Sequence, residues 1–183
     1  MTGLKDRAAD PAVPGRPQVQ RGQAWQSAHA LHREAALREL CGCVERAAQG
    51  ALRSLRVVDA PMEITGCWLN TYGPGAAHRM HSHPNNYLSA VYYVQTWPGA
   101  DSINFHDPRS QTGVIRAPVT GLTGENADQV VVHVKNGMLL VFPSYLQHSV
   151  EANAGTGDRV SVSFNLMFSE FSSSMSRPMW GEA

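Results

Sequence analysis

The stretch GMLLVFPSYLQHSVEANAGTGDRVSVSFNLMF, residues 137–168, decides how the rest of the chain is read. Asn136-Gly137 is a turn signal, Met138–Phe142 is an apolar run of strand length, and Pro143-Ser144 reads as a corner. His148 stands just past that corner. A second turn, Gly155-Thr156-Gly157, then delivers the chain into a strand over Val160–Phe168. Alternation along that strand puts Arg159, Ser161, Ser163 and Asn165 on one face and Val160, Val162, Phe164 and Leu166 on the other. The apolar face belongs against a core. A stripe of Arg, Ser, Ser and Asn turned into the interior is costly unless something polar binds there. Arg159 can grip a carboxylate with two hydrogen bonds and Ser161 can add a third. The other reading, a solvent-facing edge with an ordinary arginine, stays open on the residues alone.

Working outward, Met62–Tyr72 (MEITGCWLNTY), Leu88–Gln95 (LSAVYYVQ) and Val130–Val134 are further strands by their alternation and β-formers. Gly73-Pro74-Gly75 and Trp97-Pro98-Gly99 separate them. Many short strands with such punctuation predict a mainly β fold, a sandwich or jelly roll. The 107–129 segment is rich in Gly, Pro and Thr and has no periodicity. A loop of that length inside a compact domain is more often functional than idle.

Eight histidines occur, and most read as structural. His29 and His32 fall in the helical region and His133 in mid-strand, without a partner pattern. His81 and His83 differ, because side chains at i and i+2 of a strand project from one face. With His148 from a distant strand they can close a facial triangle around a divalent metal, leaving positions open for substrate, although the residues alone also allow a polar turn. Imidazole suits Fe, Zn, Cu and Ni alike, so residue type does not choose the ion.

Residues 1–22, with three prolines and three glycines, predict a flexible leader. From Gln23 to about residue 56, Trp25, Ala28, Leu31, Ala35, Leu37, Leu40, Val44 and Ala48 recur at helical spacing. One or two helices are expected there, broken at Gly42 or Gly50 and covering an outer face of the sheet. The catalytic β domain is then expected over 57–170 and a tail over 171–183. With 43% hydrophobic and 16% charged residues, the 183-residue chain has the balance of one globular domain plus extensions. Zero net charge and the lack of a Lys/Arg run argue against nucleic acid or an anionic membrane as a partner. No apolar run approaches the roughly 18 residues of a membrane span, and no signal-peptide core is legible. The cytoplasm is the expected compartment. Cys41, Cys43 and Cys67 form no disulfide framework and read as packing thiols. A homodimer through the N-terminal helices is an expectation without a specific motif behind it.

Taken together, the blocks WLNTYGPGAAHRMHSHP, LSAVYYVQ, INFHDPR, GMLLVFPSYLQHSV and RVSVSFN resemble the Fe(II)/2-oxoglutarate-dependent oxygenases, particularly a small bacterial, prolyl-hydroxylase-like branch. The resemblance covers about residues 62–168. It implies a double-stranded β-helix (jelly roll, cupin-like) with N-terminal α-helices packed on the sheet. It implies Fe(II) and 2-oxoglutarate as cofactors, O2 and a small molecule as substrates, and oxidation, most simply hydroxylation, of an unactivated C–H bond with release of succinate. Carried over by position, His81 is the first iron ligand and His148 the distal one. Arg159 and Ser161 bind the distal carboxylate of 2-oxoglutarate, Tyr93 reaches the same carboxylate, Tyr72 lines the pocket, and Asn70 and Asn165 are neighbours. Trp68, Asn165 and Arg109 are the residues expected to meet substrate, and the 107–129 loop is expected to act as a lid.

The chain departs from the family at one position. The wider family has Asp or Glu two residues after the first histidine, where this chain has His83. Three imidazoles remove one anionic ligand and raise the charge of the bare site by one. The spacing Gly75-x5-His81-x-His83 is also similar to the opening of a cupin metal motif. A three-histidine dioxygenase or lyase that does not use 2-oxoglutarate is therefore the alternative, with Arg159 on the substrate's own carboxylate. Asp107 is a candidate for the missing carboxylate. A jelly-roll module holding a structural metal ranks behind both, because structural zinc sites close with four ligands.

Overall fold

The computed structural model describes residues 19–58, 60–109, 114, 115 and 117–173. Its spine is two long alternating strands, β2 (Met62–Tyr72) and β9 (Arg159–Phe168), paired antiparallel from Met62↔Phe168 to Tyr72↔Arg159. β4 (Leu88–Gln95) pairs along the other edge of β9, with Tyr93 opposite Ser161. β1 (Ala24–Gln26) and β7 (Leu139–Pro143) complete a five-stranded sheet in the order β1-β2-β9-β4-β7. The second sheet has four strands in the order β3-β8-β5-β6: β3 (His78–His81), β8 (His148–Val150), β5 (Ser102–His106) and β6 (Gln129–His133). Two antiparallel sheets with a helix packed outside make the mainly β, double-stranded β-helix arrangement that the sequence predicts.

Alternation decides which face does what. Val160, Val162, Phe164 and Leu166 of β9 join Cys67, Leu69, Leu88 and Ala90 in one buried cluster. The helix α1 (Arg38–Ser54) closes that cluster with Cys41, Val44, Ala48 and Leu52, spaced three or four apart along one stripe. Val44 and Leu52 are fully buried, and each stabilises the fold by roughly 1.5–3 kcal/mol. The opposite face of the sheet, carrying the polar stripe, is left to look toward the small sheet.

The N-terminal region holds one helix of the one or two expected, over a shorter span than the apolar spacing predicted. Only α1 is a full helix, and it runs unbroken through Gly42 and Gly50. Residues 24–26 form an edge strand on β2, and Leu31–Arg33 and Ala35–Leu37 are single 3-10 turns. The apolar spacing over 25–37 was real, but an open edge of β2 competes for this backbone, and three-residue turns satisfy the rest. Since α1 buries its apolar stripe against its own sheet, that stripe is not available for pairing helices between two copies. Residues 19–23 lean on the turn after β2: Gly22 donates to the Pro74 carbonyl at 2.7 Å, and a Cβ at Gly73 would sit 2.6 Å from the Gln20 carbonyl oxygen. The remainder of the expected leader, residues 1–18, and residues 174–183 of the tail lie outside the described residues. The same holds for residues 110–113 and 116 of the expected lid, whose base is pinned by Asp107 N–H to the Asp128 carbonyl at 2.9 Å. No helix among the described residues is long and apolar enough to cross a membrane.

Candidate metal and oxoacid site

Three imidazoles converge on the small sheet. The potential ligand nitrogens of His81, His83 and His148 all lie within 4.8 Å of one another. His81 and His148 are direct cross-strand partners in the β3–β8 pair. His83 follows β3 in the loop, where its backbone N–H donates to the Ser144 carbonyl at 2.9 Å. That bond ties the His83 loop to the Pro143-Ser144 corner from which the chain continues to His148.

Two of the rings are oriented by backbone. His81 Nδ1 lies 2.8 Å from the Arg79 carbonyl and His148 Nδ1 lies 3.0 Å from the Leu146 carbonyl. A carbonyl oxygen only accepts, so Nδ1 carries the hydrogen and Nε2 keeps its lone pair. This is the support that metal-binding histidines generally need. Burial, helped by His148, His81 and His78, holds His83 down to about 3. Burial likewise holds His148 at about 4, against the opposing Leu146 hydrogen bond. Both rings are therefore neutral, and able to coordinate, at physiological pH.

A fourth histidine, which the sequence offers only as a fourth ligand for a structural metal, also sits here. His78 stacks on His81 with ring centroids 4.1 Å apart and meets the Tyr72 hydroxyl through Nδ1 at 2.7 Å. His78 and His81 are three positions apart, a spacing that a regular strand would put on opposite faces. An irregularity in the β3–β8 register absorbs the extra residue and turns both rings to one side. Nothing in the sequence near Arg79-Met80 announces that bulge.

Arg159, Ser161, Tyr93, Tyr72 and Asn70 come from the large sheet, and all five line the same cavity of about 40 Å³ as the three histidines. Arg159 is 3% exposed, and its guanidinium lies 5.4 Å above the centre of the Tyr93 ring. Arg159 Nε and the Tyr93 hydroxyl are both buried without a hydrogen-bond partner. Burial drives the Tyr93 hydroxyl up to about 12 and works against the Arg159 charge. An arginine this buried, with orphaned polar atoms beside it, fits an anion in the cavity. Val91, Ile103, Phe142 and Val150 supply its apolar walls. Asn70 lines the cavity, but its polar atoms are engaged elsewhere. Its Oδ1 accepts from Trp68 Nε1 at 3.1 Å and from Gln26 Nε2 at 2.8 Å, and its Nδ2 donates to Ser163 at 2.8 Å. Its polar atoms thus brace the wall around Trp68.

On the other side of the histidines lies a wider cleft of about 370 Å³, open to solvent. Trp68, His78, His81 and His83 line both spaces. Of the three residues expected to meet substrate, Asn165 and Trp68 line this cleft and Arg109 does not. It lines neither space and is exposed, with its guanidinium on Asp107 at 2.5 Å. That pair also corrects the idea of Asp107 as a ligand. Arg109 holds its carboxyl at about 2, and the cluster of ligand atoms among the described residues contains no carboxylate. His29, expected to be structural on a helix, instead stacks on Trp68 at 4.6 Å between centroids, at the cleft's edge.

A family model described as "Putative 2OG-Fe(II) oxygenase" matches residues 66–165. No curated protein matches the sequence. Among solved structures, an oxidoreductase of the 2OG-Fe(II) oxygenase family from Burkholderia pseudomallei is similar at 12% identity and a TM-score of 0.55, over 79% of this chain and 66% of that one. HygX from Streptomyces hygroscopicus, with nickel and 2-oxoglutarate bound, is similar at 14% identity and 0.56, over 79% and 72%. A Pseudomonas putida prolyl-4-hydroxylase is similar at 16% identity and 0.53, over 80% and 71%. At these identities the likeness is one of fold, and the chain spans about two thirds of the length of the first of these proteins.

Proposed function

The chain belongs to the 2OG-Fe(II) oxygenase family, and from that premise we propose that it oxidises an unactivated C–H bond of a small molecule, most simply by hydroxylation. Iron and 2-oxoglutarate are the family's cofactors. We assign the metal to His81, His83 and His148 and the distal carboxylate of the oxoacid to Arg159, with Ser161 and Tyr93 beside it. Bound there, the two cofactors supply O2 activation coupled to the conversion of 2-oxoglutarate to succinate and CO2.

The chain's own residues do the positioning. Arg79 and Leu146 carbonyls fix the His81 and His148 rings, so ligand geometry is set before any ion arrives. Arg159 offers a planar, permanently charged fork at the cavity's polar end and needs no proton from solvent to do so. The Tyr72 hydroxyl is engaged by His78, so its part is to hold that ring against His81 rather than to reach the carboxylate. The apolar walls exclude water from the reaction. Trp68 and Asn165 belong to the substrate side. The three cysteines are free thiols, which suits the reducing cytoplasm we assign.

The observation that carries this reading is the buried Arg159, with its unpartnered Nε and the unpartnered Tyr93 hydroxyl, in one cavity with three convergent imidazoles. The test is succinate formation by anaerobically purified, Fe(II)-loaded protein given O2 and 2-oxoglutarate. Wild type is expected to release succinate, and Arg159→Ala to lose at least about tenfold in turnover at limiting 2-oxoglutarate, since a charge-assisted bidentate contact is worth about 1.5–3 kcal/mol. Metal-dependent O2 consumption indifferent to added 2-oxoglutarate would move Arg159 onto the substrate's own carboxylate.

A further inference from the structure

The outer cleft is large enough for a whole small molecule, yet it is not a place for a charged one. Its volume of about 370 Å³ falls within the usual range for small-ligand pockets. Among the described residues, none of those lining it is Asp, Glu, Lys or Arg. In their place stand carboxamides and hydroxyls, Gln26, Ser82, Asn85 and Asn165 among them, beside the His29–Trp68 stack. Trp68 is 6% exposed, so the indole backs the stack, and His29, the exposed ring, presents the outer surface. Asn165 is held by one end only. Its Oδ1 accepts from Ser89 at 2.9 Å, and Ser89 is in turn 2.8 Å from Ser144. The amide NH2 of Asn165 is left to donate elsewhere.

The lining gives a charged molecule no side-chain partner: among the described residues no carboxylate stands there to meet a cation and no lysine or arginine to meet an anion. Leaving water for such a place costs either of them free energy that only a partner charge would return.

We infer that the cleft takes a neutral, ring-bearing small molecule rich in hydroxyl or amide groups, stacked on His29 and hydrogen-bonded by Asn165. The inference rests on the oxygenase reading only for what happens to that molecule afterwards. His29 and Asn165 are then the residues that set specificity. His29 gives ring contact at little conformational cost, and Asn165 rewards a hydrogen-bond acceptor.

The test is a panel of ring compounds in matched sets of neutral, amine-bearing and carboxylate-bearing members: glycosides, cyclitols, nucleosides and cyclic dipeptides. Binding is read by saturation-transfer NMR on Zn(II)-loaded protein, with and without 2-oxoglutarate, and succinate release is read on the Fe(II)-loaded protein. Neutral members are expected to bind and the charged members of the same set to bind at least about tenfold more weakly. His29→Ala is expected to weaken neutral binders about three- to tenfold, the worth of one ring contact. Asn165→Asp keeps an acceptor for Ser89 and is expected to bring in the amine-bearing members. Neutral binding without any succinate release would support the cleft while sinking the 2-oxoglutarate reading. Charged members that bind wild type as well as their neutral partners, or a panel in which no ring compound binds, would overturn the inference.

Discussion

An imidazole at position 83 would change what a bound metal feels, and its environment says how. His83 sits 5.7 Å from the Trp68 ring and 5.2 Å from His148, held well below the ordinary histidine range chiefly by burial. His83→Asp restores an anionic ligand and is expected to tighten Fe(II) binding, measured by competition with a chelator, whereas His83→Ala loosens it by at least the roughly ten- to hundredfold that even an outer-shell partner costs. The depressed histidines also set a pH dependence for the metal-free protein. Unfolded, these rings take up protons as pH falls below about 6.5, whereas folded they resist until about 4 for His148 and His78 and about 3 for His83. The unfolded state therefore binds more protons in that window. Stability is expected to be fully present above about 6.5 and to fall between there and about 3. A series of melting curves on the metal-free protein checks this, and a flat profile over that range contradicts it. At this scale much was legible in advance. His81, His83 and His148 stood out by spacing, and Arg159 by its place on the alternating face of β9. Arg109 was misjudged because an arginine in a loop has its partner two residues away, at Asp107, and local pairing leaves no trace in a pattern.

Elements do the aiming that residues alone cannot. The β3–β8 irregularity between His78 and His81 inserts one residue, and the side-chain period of a strand is two, so everything after it depends on that insertion. Deleting Met80 is expected to cancel the bulge and swing either His78 or His81 off the common face. Metal titration would then show binding weakened by more than about tenfold, while far-UV circular dichroism still reports the large sheet, which owes nothing to β3. Retained binding would mean that the rings are aimed by something other than the bulge. The long strands β2, β4 and β9 were legible because period-two alternation over eight or more residues is a strong signal. β1, β3 and β8 have three or four residues each and owe their form to partners elsewhere in the chain. That is why residues 24–26 read as helix and His78 read only as a fourth ligand for a structural metal.

Across the whole molecule, the site is divided between two sheets. The small sheet and the loop after β3 bring the three imidazoles, and the large sheet brings Arg159, Ser161 and Tyr93. The existence of two packed sheets and an outer helix followed from strand count, turn spacing and one amphipathic stripe. The two separate spaces on either side of the histidines did not follow, because a cavity is a property of what several distant segments leave unfilled. A molecule that touches iron at one end and Arg159 at the other would act as a clasp between the sheets. Each cofactor then stabilises the fold by its own occupancy, about 2.7 kcal/mol at a hundredfold excess over its Kd. The two are expected to raise the melting temperature by more together than the sum of their separate shifts, measured by differential scanning fluorimetry with Zn(II), 2-oxoglutarate and both. A chain fastened in this way is sturdy only while it is supplied. In a cell short of iron or of central carbon metabolites the unclasped form opens more often and offers itself to proteases. The amount of this protein would then follow nutritional state without any change in its synthesis.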